Sequence, residues 1–443
     1  MILPDWLLFV INLLLLIPFI FVLIGSIILT FQTKWVQFRQ LPSLGGMFLN
    51  SLKKKDPLHS HNTIPSYKAL FTAMSTTIGT GNIVGPIIAI GKGGPGALAG
   101  FLLATIFGCA TTYVEVCFAL SFRTKNNDGS INGGPMPYVK EALGSFWALL
   151  YAVAGSILLI AWCSSQSNTT AMLLEPLGIS TTITGLFLGI STTLILTGGI
   201  QRLGAINALL VPYMFILYCG SCITILFLHA NQIIPSIQLI FTSLWAPNSL
   251  IGFTGGLGWV YALRWGLARA LQSNEAGVGT STFPHSASTS AHPMQQGTLA
   301  MISVYTNGLL CLLTGLVILS TGAWQIPGAI FDVMMLQAIF VKHFSSLGSI
   351  LFGFSAFLFA FGTILGNGYN GGECFKYYVH HRWLPLYYVG IGSIVFLGAL
   401  ASVQTVWTIV DFFIIPVIIP HMLALLVLAP RRPDLLIQKQ ESE

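Results

Sequence analysis

Apolar runs long enough to cross a bilayer recur along almost the whole chain, and that pattern narrows the fold more than any other feature. Lipid offers no hydrogen-bond partner to a peptide group, so a spanning segment must satisfy its own backbone. An α-helix does so, and needs about 20 predominantly apolar residues to cross. Charged residues make up only 7 % of the chain against 54 % apolar, far less charge than a soluble surface carries. The chain therefore reads as an all-α polytopic protein whose surroundings are the lipid bilayer. Its net charge of +6 does not signal nucleic acid, because the basic residues are spread among loops. The first run begins with Asp5 instead of a basic stretch and shows no small-x-small cleavage site. It reads as a retained helix and not as a cleaved leader.

Apolar runs set against polar breaks predict about eleven helices, near 6–31, 67–90, 96–121, 145–173, 180–198, 205–228, 252–274, 297–321, 350–372, 384–402 and 405–428. Segments around 231–245 and 328–344 look surface-lying or re-entrant. An odd number of spans puts the termini on opposite sides, and basic residues choose between them. With the N-terminus outside and the C-terminus cytoplasmic, only Lys92 and Lys342 of the 19 lysines and arginines fall outside, while Arg264 and Arg269 lie in a span. All the others are cytoplasmic, a strong positive-inside bias that places the chain in the cell membrane.

The seven cysteines fall almost all within apolar runs, as small hydrophobes do. Cys219 and Cys222 form a CxxC with no second pair, which speaks against a metal or redox site.

The expected organisation is an extra helix with a basic loop (1–66), five helices (67–228), an outer connection (229–251), five more helices (252–428) and a cytoplasmic tail (429–443). Five helices per half force opposite orientations, the arrangement of an inverted repeat. In such proteins a pair of glycine-interrupted spans marks the binding site. The first helix of one half carries Thr76-Thr77-Ile78-Gly79-Thr80-Gly81-Asn82, and that of the other carries Gly255-Gly256, Gly258 and Gly266 before Ser273-Asn274-Glu275-Ala276-Gly277. Each glycine costs a helix about 1 kcal/mol relative to alanine, and freed amides in hydrocarbon cost more. A chain that accepts both at mid-span is building a cavity lined by backbone. Gly79 and Gly81 would also suit a close helix contact, but Asn82 and the threonines beside them favour a site.

Several blocks resemble the alanine or glycine:cation symporters, the sodium:alanine symporter family. They are Thr80-Gly81-Asn82-Ile83 with Gly93-Gly94-Pro95-Gly96-Ala97, then Gly133-Gly134-Pro135-Met136-Pro137-Tyr138. Leu263-Arg264-Trp265-Gly266-Leu267-Ala268-Arg269-Ala270 leads through Ser273-Asn274-Glu275-Ala276-Gly277 to His292-Pro293-Met294-Gln295-Gln296-Gly297. Phe361-Gly362-Thr363-Ile364-Leu365-Gly366 and Trp407-Thr408-Ile409-Val410-Asp411 complete the set. The resemblance implies a leucine-transporter-type fold of five-plus-five inverted repeats with two broken helices. It further implies sodium symport of a small neutral amino acid, alanine or glycine, by alternating access.

On that resemblance substrate would bind at the unwound stretch Gly79, Thr80 and Gly81, with the amides of Thr80 and Gly81 holding its carboxylate at the positive end of a half-helix. The carbonyls of Ser75 and Ile78, with the Thr363 hydroxyl, would hold sodium, a hard cation that prefers oxygen. Gln166 would offer an amide donor and acceptor, and Trp265 and Gly266 would line the pocket, with room left beside the glycine. The chain departs from the family pattern at several points. Gly362 stands for an expected serine and removes one potential oxygen ligand. Asn367 stands for an expected tryptophan and makes the pocket larger or more polar. Ala270 replaces a glycine, Lys92 enters the glycine-rich turn, and no acid accompanies Thr306-Asn307.

Glu115, Arg264, Arg269 and Asp411 lie in or near spans, where an unpaired charge costs about 2.5–3.5 kcal/mol on insertion scales, so ion-pair partners are expected. Asn274-Glu275 with His285 and His292 reads as a cytoplasmic loop network. No GxSxG, HExxH or complete phosphate loop is present, so neither an enzyme nor a nucleotide-driven pump is indicated and no cofactor is implied. A proton-coupled carrier or exchanger with another substrate, or an amino-acid sensor that does not transport, remains the alternative.

Overall fold

The computed structural model describes residues 5–53, 63–125, 131–245, 258–401 and 403–437, and within them the chain is almost entirely helical. In order, the helices are α1 (Asp5–Gln32), short α2 (Val36–Arg39) and α3 (Leu44–Lys53), α4 (Ser66–Thr77), α5 (Gly81–Gly93) and α6 (Ala97–Ser121). Next come α7 (Met136–Leu143), α8 (Ser145–Leu174), α9 (Thr181–Leu196), α10 (Gly199–Leu228), α11 (Ala230–Trp245) and α12 (Gly258–Asn274). The last six are α13 (Thr282–Ser286), α14 (Pro293–Ser320), α15 (Val333–Phe344), α16 (Ser346–Lys376), α17 (Leu384–Leu400) and α18 (Val403–Arg431). A two-residue antiparallel hairpin pairs Thr124–Lys125 with Ile131–Asn132 between α6 and α7.

Eight stretches of the described residues are long and apolar enough to cross a membrane. The expected segments 180–198 and 252–274 are the shorter helices α9 and α12, and 6–31 is α1. The two lesser segments are α11, packed against α14, α12 and α6, and α15, packed against α16 and α5. The loop expected at 32–66 contains α2 and α3. Gly255 and Gly256 lie outside the described residues.

The interrupted pair α4–α5 is the most deeply enclosed span, with 83 % of its apolar window inside the protein against 33 % for the stretch that contains α17. It packs on α10, α12, α14 and α16. That placement is why the break is tolerable: irregular backbone at membrane depth survives only where protein surrounds it. Around this centre, α6 packs on α12 and α14, while α8 packs on α16, α17 and α18. Bulky apolar side chains such as Ile216, Phe227, Leu386 and Phe412 project outward, as a lipid-facing surface requires. All seven cysteines are buried and free.

Candidate functional site

The first break forms where the apolar run meets Ile78-Gly79-Thr80. Ile78 leaves helical geometry at φ −97° and ψ 82°, and α5 restarts at Gly81 with Thr80 before it. The hydroxyls of the preceding turn serve their own helix: Ser75 donates to Thr72 O at 2.8 Å and Thr76 to Ala73 O at 2.6 Å. What α4 presents at its end is therefore carbonyl oxygen. On α16, the Thr363 hydroxyl donates to Ser75 O at 3.0 Å and lies 3.3 Å from Ile78 O. The three groups expected to hold a cation thus meet at one place. A Cβ on Gly362 would stand 3.4 Å from Ser75 Cβ and 3.8 Å from its carbonyl oxygen, so the position that lacks the expected serine faces the same place.

The amides are engaged differently from the expectation. Gln166 of α8 turns its Oε1 onto Thr80, accepting from the backbone N–H at 3.0 Å and from the hydroxyl at 2.8 Å. The Gly79 N–H donates to Asn82 Oδ1 at 3.1 Å. Two of the three amides are thus occupied by side-chain oxygens, and a substrate carboxylate would take the place of the Gln166 oxygen. Gly81 opens α5, at one of the positions where a helix start leaves an N–H without an intrahelical acceptor. Gly79 separates the two groups of ligands: a Cβ there would lie 2.6 Å from Thr363 Oγ1 and 3.1–3.2 Å from the Gln166 amide atoms.

The second break follows α12. Glu275, Gly277 and Gly279 take positive φ (54°, 89° and 91°) and carry the chain from Asn274 to α13. Gly266 does not open a pocket. A Cβ on it would sit 1.8 Å from Ala97 O and 3.0 Å from Gly100 Cα, so the missing side chain lets α12 cross α6 at backbone contact. Trp265 is half-buried in a stack of its own: the guanidinium carbons of Arg264 and Arg269 each lie 5.7 Å from its ring, and Tyr261 packs edge-on at 6.3 Å. Asn367, one helical turn beyond Thr363, is fully buried; its amide adjoins the Glu275 side chain, and its oxygen accepts no hydrogen bond.

A residue that sequence reasoning noted only for a missing acid proves central. Asn307 of α14 donates to Thr77 O at 2.7 Å and to Ser273 O at 3.0 Å, capping the last turns of α4 and α12 together. Asn82 reaches Asn307 O at 3.4 Å, and Thr314 reaches Asn82 O at 3.1 Å. An asparagine in mid-span was the available signal. Leaving two buried carbonyls unmatched costs about 1–3 kcal/mol each, so Asn307→Leu should lower the thermal stability of the purified protein, whereas Asn307→Gln should lower it less. Equal melting temperatures for Asn307→Leu and the parent protein would remove this capping role.

The charged residues pair otherwise than expected. Glu115 meets no arginine: its Oε1 accepts the Gly277 N–H at 2.7 Å and lies 3.8 Å from His421 Nδ1. Arg269 bonds Gln272 Oε1 at 2.8 Å, and the Asp411 side chain lies outside the described residues. His285 bonds Gln296 at 2.7 Å and Glu275 bonds Thr280, while His292 is exposed, so the four expected residues do not form one network. Burial pushes the His285 pKa down to about 3 and keeps the ring neutral.

Residues 3–438 match the model of the sodium:alanine symporter family. The chain is 32 % identical to the sodium/alanine symporter AgcS of Methanococcus maripaludis over 93 % of its own length and 92 % of that protein. It is 30 % identical to a Bacillus subtilis protein named "Probable sodium/glutamine symporter GlnT", covering 91 % and 84 % of the two chains. Among solved structures, MhsT in complex with L-phenylalanine superposes with a TM-score of 0.59 at 16 % identity, over 81 % of this chain and 87 % of that one. This likeness shows the fold, that of the leucine-transporter type.

Proposed function

The chain belongs to the sodium:alanine symporter family, and from that premise we propose that it imports alanine or glycine together with sodium by alternating access. It is a multi-pass membrane transporter and not an enzyme. The observation that carries the reading is the meeting of Ser75 O, Ile78 O and Thr363 Oγ1 beside Gly79, with the Thr80 amide and Gln166 on the other side of that glycine. Oxygens suited to sodium and a donor suited to a carboxylate thereby share one break. Occupying one would organise the other, because both depend on how α4 ends. A sodium ion moving down 100 mV supplies about 2.3 kcal/mol, enough for roughly 50-fold accumulation.

The halves, in this proposal, are residues 67–228 and 252–428, each opened by a broken helix, with the N-terminus outside and the C-terminus cytoplasmic. Asn367 supports a second reading of the substrate. Its amide oxygen is buried without a hydrogen-bond donor, and a substrate with a polar side chain would satisfy it, as would suit a glutamine carrier. Uptake of labelled alanine into proteoliposomes, with unlabelled amino acids competing, separates the two. Alanine and glycine should compete most strongly, and stronger competition by glutamine would replace the first reading with the second.

A further inference from the structure

Among the described side chains, the two most deeply buried acids converge on the second break. Glu115 of α6 is 1 % exposed and Glu275 is 6 % exposed. Residue 277 is held from two sides, its N–H by Glu115 Oε1 at 2.7 Å and its carbonyl by His421 Nδ1 at 2.8 Å. The other ring nitrogen of His421 meets the Tyr138 hydroxyl at 2.5 Å. Tyr151 donates to Val278 O at 2.7 Å, and Thr280 donates to Glu275 Oε2. Glu115 Oε2 has neither water contact nor a hydrogen bond.

The charge balance of this cluster is the point. Among the described residues neither acid forms an ion pair with a lysine or arginine, and the one basic group paired with either is His421, 3.8 Å from Glu115. The other titratable side chains around the two carboxyls are Tyr138 of α7 and Tyr151 and Cys163 of α8. The helix α14, which packs along α6, carries no charged residue. Both carboxyls serve the same few residues of backbone, since Glu115 holds the N–H of Gly277, two residues from Glu275. Two buried carboxylates with a single imidazole, 3.8 Å from one of them, are prohibitively unstable, because a buried charge needs a partner for each ion and a hydrogen bond for each lone pair. A metal ion does not fit, since Glu115 Oε1 accepts a backbone N–H and both ring nitrogens of His421 are engaged, by Gly277 O and the Tyr138 hydroxyl, leaving too few free ligands. A proton on Glu115 Oε2 and another on Glu275 Oε1 remove both charges, leaving Glu115 Oε1 free to accept the Gly277 amide and Glu275 Oε2 the Thr280 hydroxyl.

We propose that Glu115, Glu275 and His421 form a proton-binding site that latches the unwound segment 275–279 while the site is closed to water. The segment belongs to the second broken helix, so its movement into the open conformation admits water, lets the carboxyls ionise and releases their protons. Closed and open states then differ in bound protons, and pH biases the transport cycle by linkage. The sign follows: the closed state binds more protons, so it is favoured as pH falls and lost as pH rises.

Infrared spectroscopy of the purified full-length protein tests this without substrate. At neutral pH the carbonyl stretch of a protonated carboxylic acid should be present, diminished in Glu115→Gln and in Glu275→Gln and intact in the exposed-site control Glu141→Gln. Glutamine keeps the oxygen that accepts from Gly277, so Glu115→Gln should fold; if it does not, Glu275→Gln carries the same test. In proteoliposomes, sodium-driven uptake of labelled alanine should depend on pH, with apparent affinity changing by up to about tenfold per pH unit for one linked proton. Glu115→Gln should flatten that dependence. Absence of the protonated-acid band, or a band unchanged in both variants, overturns the proposal. A wild-type protein with the band and no sodium-driven uptake would overturn the transport reading and leave the proton site standing.

Discussion

Replacing Gly79 with alanine is expected to reduce sodium-driven uptake by about tenfold or more, while the same change at Gly81 leaves it within a few-fold of the parent protein. Both substitutions add one methyl group and neither glycine takes a positive φ, so backbone conformation does not separate them. Space does. The new methyl at position 79 would lie 2.6 Å from Thr363 Oγ1, whereas at position 81 the nearest atoms are at Ser273, 4.0 Å away. Relieving the first contact means turning Thr363 away from Ser75 O and Ile78 O or pushing Gln166 off Thr80, and over-packing of this kind costs about 1–3 kcal/mol. Uptake assays on the two variants, matched for protein inserted, make the comparison. Equal activity would show that Gly79 is not the spacer between the two ligand groups.

The second large effect is expected at Thr363. Thr363→Val keeps the branched shape and removes the hydroxyl that bridges Ser75 O and Ile78 O. An interaction with a charged group is worth about 1.5–3 kcal/mol, so the sodium concentration for half-maximal uptake should rise about tenfold or more. Thr363→Ser should stay near the parent value. The alanine concentration for half-maximal uptake at saturating sodium should move much less in Thr363→Val. A shift confined to the amino acid would assign this hydroxyl to the substrate.

The positions of the helices and the first break were legible in the chain, because both follow from local chemistry. Spanning helices need apolar length, and Ile78-Gly79-Thr80-Gly81 contradicts that need in the middle of a run. Partnership across the fold was less legible. Asn307 bonds Thr77 and Ser273, 230 and 34 residues away, and no spacing rule connects those positions. The register between two helices is equally silent in one sequence. Gly266 reads as a pocket glycine until α6 is seen against its Cα. Glu115 invites an arginine partner on charge alone, yet it faces a peptide N–H and a histidine because the second break runs past it. Gln166 was identified as a site residue, but its place on the Thr80 amide, where a carboxylate was expected, depends on which side-chain oxygen reaches that N–H.

The account rests on one claim, that the break between α4 and α5 couples sodium to amino-acid movement. The most direct measurement is the accumulation of labelled alanine in proteoliposomes that contain no sodium inside, with sodium or choline outside at equal ionic strength. The account predicts accumulation above the external concentration with sodium, collapse of that accumulation when an ionophore dissipates the gradient, and none with choline. Equal accumulation in sodium and choline would contradict it.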